Sequence, residues 1–191
     1  MRKLLSLFML LAFASAHADN EVIGTIQLSL DGEEQTWYVL ESPDGLRSNA
    51  LWMDIGPGKS AIAVTAFASP DITLVSDGTM GSAVPDGSAP ALVVSVAFPA
   101  GAKEQGHTLP APATDGPAIV MLLNDWSNPI DSAMLSDGPG EIRLTSITAN
   151  KDAPSSFAGT FSGALKDAEG NARTVESGRF EFDQVEFFEK P

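Results

Sequence analysis

The loop Asn124-Asp125-Trp126-Ser127-Asn128-Pro129 gathers an indole, two amides and a carboxylate within six residues. These side chains suit non-covalent recognition. An indole face stacks on a sugar ring or anchors a protein partner, and amide and carboxylate groups hydrogen-bond to polar substituents. Trp126 as the stacking group, with Asp125 and Asn128 as hydrogen-bonding groups, is the candidate ligand-binding set. The competing reading folds Trp126 back over a sheet end as a lid on the core. Trp37 and Trp52 fall within strand patterns and are expected to pack in or near that core.

Other combinations that could carry chemistry are incomplete. Gly58-Lys59-Ser60 matches the end of a phosphate-binding loop, but Met53 stands where the pattern needs its first glycine, and the following Ala61-Ile62-Ala63-Val64-Thr65 reads as a strand, not a helix. A serine hydrolase needs a histidine to carry the proton, and beyond residue 18 the chain has only His107, with no serine in a G-x-S-x-G elbow. One histidine and no cysteine also leave zinc and copper without a ligand set. Carboxylates are abundant, at 25 Asp and Glu. A pair of them working as acid and base on a cell-wall or exported polysaccharide is the main alternative function. Calcium takes oxygen ligands from acidic loops, but no D-x-D-x-D-G loop is present, and the six Asp-Gly pairs suit tight turns better. No cofactor is expected, with calcium kept as the alternative.

Charge narrows the partners. The chain carries a formal charge of -14, with no basic stripe to neutralise phosphates, so nucleic acid is not an expected partner. Anionic lipid is excluded as an electrostatic partner for the same reason. A protein or a carbohydrate remains, and a monomer is expected.

The elements that must position these residues begin after a leader. Arg2 and Lys3 precede an apolar run from Leu4 to Phe13, and Ala16-His17-Ala18 supplies a small-residue cleavage site. That order is a secretory signal peptide over residues 1–18, too short for a membrane span. The expected mature chain starts at Asp19, and losing Arg2 and Lys3 with no acid takes its charge to -16. Absence of cysteine excludes disulfides and a lipoprotein anchor. The expected location is the bacterial periplasm or the exterior.

Residues 19–191 read as one domain of short alternating segments divided by turns. Val22, Ile26, Leu28 and Leu30 share one face; after Asp31-Gly32 the chain returns with Trp37 and Val39 opposite Tyr38 and Leu40. Further strands are expected at 50–55, 61–68, 72–76, 91–98, 119–124 and 141–149. A short helical turn is possible near 102–105. A closing hairpin runs through Phe157, Phe161 and Leu165, turns at 167–171, and returns from Arg173. In its last arm Phe180 and Phe182 have one parity, Val185 and Phe187 the other, so a β-bulge is expected at Asp183-Gln184. Residues 99–117, rich in Pro and Gly, read as a long loop crossing between sheets. The whole is expected to be an antiparallel β-sandwich of nine to eleven strands. Short strands, one tyrosine and proline-rich connections argue against a membrane-spanning barrel.

Gly24-Thr25-Ile26 with Leu30-Asp31-Gly32 and Thr36-Trp37-Tyr38-Val39, and Gly159-Thr160-Phe161-Ser162-Gly163 with Ser177-Gly178-Arg179-Phe180, resemble hairpins of uncharacterised exported β-proteins of Gram-negative bacteria, many of them lipoproteins. The resemblance implies an exported β-fold and carries no site. The function expected is an exported, non-catalytic binding or interaction module. The other alternative is a structural protein assembling through sheet edges.

Overall fold

A computed structural model describes residues 19–48, 50–76, 78, 83–99, 118–125, 128, 132–136 and 141–188. The leader, His107, Trp126 and the possible helical turn near 102–105 lie outside them. The described residues form twelve strands: β1 (Glu21–Leu30), β2 (Glu33–Glu41), β3 (Ala50–Gly56), β4 (Lys59–Phe67), β5 (Leu74–Ser76), β6 (Ala83–Pro85), β7 (Pro90–Pro99), β8 (Ala118–Asp125), β9 (Met134–Ser136), β10 (Glu141–Thr148), β11 (Ser155–Lys166) and β12 (Ala172–Phe187). The fold is all-β, as expected, with two three-residue strands, β6 and β9, that periodicity did not mark.

Local chemistry sets the hairpins. Leu30 pairs with Glu33 across Asp31-Gly32, whose φ angles are 54° and 83°. Two successive positive φ values make the tight turn whose twist matches paired strands, and glycine adopts the second without strain. Gly56-Pro57-Gly58 turns β3 into β4, and Ser60 donates to Asp54 across that hairpin at 3.1 Å. The phosphate-loop look-alike is therefore a hairpin turn entering a strand.

Ten strands form one mixed sheet, and β5 and β6 form a separate pair. Within the large sheet, β1, β2, β4, β7, β8, β9, β11 and β12 each pair with the next, and β12 returns to β1, so the ladder closes on itself. Its junctions are short. β2 meets β4 through Tyr38 and Phe67 alone, and β9 meets β11 through two residue pairs. β3 bridges the circuit, antiparallel to β4 and parallel to the end of β12. The strands flanking 99–117 pair directly with each other, Ala97 opposite Ala118. Residues 100–117, expected as a loop crossing between sheets, lie outside the described residues.

One main core lies inside the circuit. Ile26, Trp37, Phe161, Phe180 and Phe182 meet Trp52, Ile62, Val94, Phe98 and Met121 there, all buried. A smaller cluster of Leu40, Phe67, Leu74, Ala83, Ala89 and Ala91 sits under the β5–β6 pair. The outer face of β12 is charged and exposed, carrying Glu176, Arg179, Glu181, Asp183 and Glu186. Apolar inside and charged outside is the inverse of a lipid-spanning barrel wall.

The bulge expected at Asp183-Gln184 is present. Ser156 of β11, between the pairs Ser155–Val185 and Phe157–Phe182, faces two residues of β12, Asp183 and Gln184, and Phe182 and Val185 are both buried. A second extra residue lies at Glu176-Ser177, opposite Phe161 to Gly163. A third corrects the reading of β1. Between Val22 and Gly24 the register with β2 shifts by one, so Ile23 is buried and Val22 is exposed.

Candidate functional site

At one end of the closed ladder the strands part around a cavity of about 510 Å³. β2 contributes Gln35, Thr36 and Trp37 to its wall, and β8 contributes Leu123, Asn124 and Asp125. Ala68, Pro90, Ser132, Met134 and Arg173 complete the lining. The cavity exists because β2 and β4 pair only at Tyr38–Phe67, which leaves the first half of β2 without a partner on that side. Its volume falls within the roughly 300–1,000 Å³ of small-molecule sites, which favour the mouths of closed β-structures.

Two wall residues carry unsatisfied polar atoms. Trp37 Nε1 and Asn124 Oδ1 are buried and have no hydrogen-bond partner among the described residues, and their residues are 4% and 5% exposed. A buried polar atom left unbonded costs about 1–3 kcal/mol, so such atoms need an explanation. One is a donor and the other an acceptor, and they lie on opposite faces of the sheet: Trp37 belongs to the main core, whereas Asn124 pairs with Ala91 on the face of the smaller cluster.

The charged wall residues are engaged. Arg173 Nε donates to Asp31 Oδ2 at 2.7 Å, and the amide of Thr174 donates to Asp31 Oδ1 at 2.7 Å. These bonds dock the β1–β2 turn onto the start of β12. They hold the Asp31 carboxyl below its ordinary range, the Arg173 hydrogen bond contributing most. Ser88 donates its hydroxyl to the Asp125 carboxylate, at 3.0 and 2.8 Å to its two oxygens.

Of the candidate set, Asp125 is in the wall. Asn128 is exposed and serves its own loop: its amide donates to the Asp125 carbonyl at 3.0 Å, and its carbonyl accepts from Ser132 Oγ at 2.6 Å. Asp125 N–H in turn donates to Ser132 Oγ at 2.7 Å. Trp126 lies outside the described residues. Sequence reading placed Trp37 only as packing, counted Asn124 in the loop without nominating it, and passed over Gln35, Thr36 and Arg173. The available signal was the apolar run of 119–123 giving way at Asn124.

A second concavity, of about 550 Å³, lies on the outer face of β10, β11, β12, β1 and β2, at the Glu176-Ser177 bulge. It carries Glu34, Glu141 and Glu176 beside Arg143 and Arg179. These groups are exposed to water, which satisfies them. Among described residues, no three His, Asp or Glu converge as metal ligands. The other carboxyls with a resolved shift are lowered too: Asp54 mainly by its hydrogen bond from Lys151, and Asp167 mainly by that from Asn171. No protein-family model, curated protein or solved structure matched the chain.

Proposed function

We propose that this protein is an exported, non-catalytic binding module whose ligand occupies the cavity between β2 and β8. The observation that carries this reading is the cavity of about 510 Å³ beside the first half of β2, which has the size of a small-molecule site. Export rests on the leader pattern of residues 1–18, and the charged outer face of β12 suits a water-exposed protein.

Catalysis would ask for a carboxyl raised to act as a general acid beside an ionised partner. The shifted carboxyls here are lowered by hydrogen bonds to Arg173, Lys151 and Asn171, which suits ion pairing and turn formation. Assembly through sheet edges is disfavoured by the ladder's closure. Among the described residues of the large sheet, β10 pairs with β11 alone, and it bears exposed Glu141 and Arg143 and a register shift near Thr145, features that discourage edge pairing.

The test is a comparison of the parent with Ala68→Phe. Ala68 lines the cavity and is exposed, so the larger ring fills the space without entering the core. Small polar solutes that raise the parent's melting temperature are expected to lose that effect in the variant. An equal response in both proteins would refute the cavity as the binding site.

A further inference from the structure

We infer that the cavity takes an extended peptide segment, which adds as a short antiparallel strand to the open edge of β2 with an apolar side chain turned inward and basic side chains turned outward. The inference rests on the binding-module reading and deepens it by naming the ligand class. It starts from the main chain. β1 and β2 pair without a break from Leu30–Glu33, across their two-residue turn, to Thr25–Tyr38. In such a ladder every second residue turns both its N–H and its C=O away from the partner strand. Leu40 fixes which residues these are. Its N–H donates to Ser48 Oγ at 2.7 Å and its carbonyl accepts from the Ser48 amide at 2.8 Å. Glu34 and Thr36 share the parity of Leu40. Their main-chain groups therefore point into the space past the Tyr38–Phe67 pair, where the described residues give them no strand partner.

β4 does not continue into that space. Asn20, which precedes the Glu21–Glu41 pair at the far end of β2, donates through Nδ2 to the carbonyls of Pro70 and Ile72 at 2.8 and 2.7 Å. The chain beyond Phe67 is thus tied elsewhere, and Pro70 has no N–H to give. What stays open is a donor and an acceptor repeated every second residue. An extended backbone carries the same repeat, and pairing of this kind is how peptides add to sheet edges.

The side chains set the rest. A peptide residue opposite Gln35 turns inward, toward half-buried Leu123 and Met134, which line the cavity and pack against the main core. That place suits an apolar group. Residues opposite Glu34 and Thr36 turn outward, beside the exposed Glu34 carboxylate. Asp125 lines the same cavity, and its Arg173 is already held by Asp31 at 2.7 Å. With a net charge of -14 on the chain, these groups favour a cationic segment over an acidic one.

The experiment adds acetyl-Lys-Leu-Lys-Leu-Lys-amide to the isotope-labelled protein and follows backbone amides by NMR. The Glu34 and Thr36 amides are expected to shift and, near saturation, to exchange with solvent about tenfold more slowly. The Gln35 amide, on the edge paired with Leu28, gains no protection. An ester oxygen in place of the central lysine's amide nitrogen removes a donor facing β2 and is expected to weaken binding about tenfold, whereas the same exchange at a leucine costs less than about twofold. Thr36→Pro, which an open edge tolerates, is expected to weaken binding about tenfold as well. Equal effects of the two esters would mean that no antiparallel pairing holds the peptide, and the inference falls. Equal binding of acetyl-Glu-Leu-Glu-Leu-Glu-amide would overturn the basic character of the ligand. Protection of Glu34 and Thr36 that grows with protein concentration alone would assign the edge to a second copy instead. If no peptide moves these amides while Ala68→Phe still abolishes a solute response, the cavity binds ligands but not as a strand. If that variant changes nothing either, the binding-module reading falls as well.

Discussion

The ring of Phe161 lies across Gly178, its direct cross-strand partner, so closely that a β-carbon at position 178 would fall onto the ring. The same arrangement recurs two pairs along, where a β-carbon at Gly159 would stand 2.6 Å from Phe180 and 2.7 Å from the Arg143 carbonyl. Phe180 then stacks on Phe182 at a centroid distance of 5.1 Å. Aromatic rings covering opposed glycines hold strands in register where glycine alone would weaken them. Gly178→Ala and Gly159→Ala are each expected to lower stability by about 1–3 kcal/mol through overpacking, while Thr160→Ala, at an exposed site, stays within about 0.5 kcal/mol. Urea denaturation of the three variants measures this, and a neutral Gly178→Ala would show that the ring can move aside freely.

The bulge at Asp183-Gln184 turns Val185 inward. Val185→Asp places a charge in a fully buried position and is expected to cost more than about 3 kcal/mol or to prevent folding. Gln184→Glu, one residue away on the bulge itself, is expected to change stability by less than about 0.5 kcal/mol. Reversal of that order would place the extra residue elsewhere.

Acid should weaken the fold through Asp31, Asp54 and Asp167, whose carboxyls are all held below their ordinary value of 3.8. A lowered folded pKa means the native state favours the ionised form. The stabilisation these groups give is complete above the ordinary value and drains away as pH falls through the folded values. Asp31→Asn is expected to melt below the parent at neutral pH, and the gap is expected to narrow as pH falls below 3.8 and Asp31 takes up its proton. Melting curves across that range decide it; a gap that stays constant would mean the Arg173–Asp31 contact is not linked to ionisation.

Processing gives a fourth test. Expressed with its leader in a Gram-negative host, the protein is expected in the periplasmic fraction with an intact mass that begins at Asp19. Recovery of the uncleaved chain from the cytosol would remove the basis for export.

Much of the fold is legible in the residues, and the gaps have physical causes. The Asp31-Gly32 hairpin and the 183–184 bulge declare themselves because bulky apolar side chains mark the faces on both sides of each. The bulge at Glu176-Ser177 leaves only a faint mark, the change of parity between Val175 and Phe180, because one valine before it is too little to define a face. The shift in β1 is masked because Val22 keeps the parity of Ile26, Leu28 and Leu30 while Ile23 takes the buried place. Strands β6 and β9 are too short for a period of two to register. Closure of the ladder depends on partners far apart in the chain, which local pattern does not encode. The cavity is hidden for the same reason: Trp37 and Asn124 belong to strands that meet only after that closure. Asp125 could be nominated because it shares a loop with Trp126, whereas nothing local links Asn124 to Trp37.

Strand β12 touches the first strand, the third and the eleventh. No stretch of chain ending before Ala172 can therefore seal its own oily interior, however much of it has already emerged from a ribosome or a translocation pore. Structure must arrive late and nearly all at once, and a polypeptide delivered amino end first stays pliable until its final hairpin is free. A fragment ending at residue 171 should accordingly show no cooperative melting.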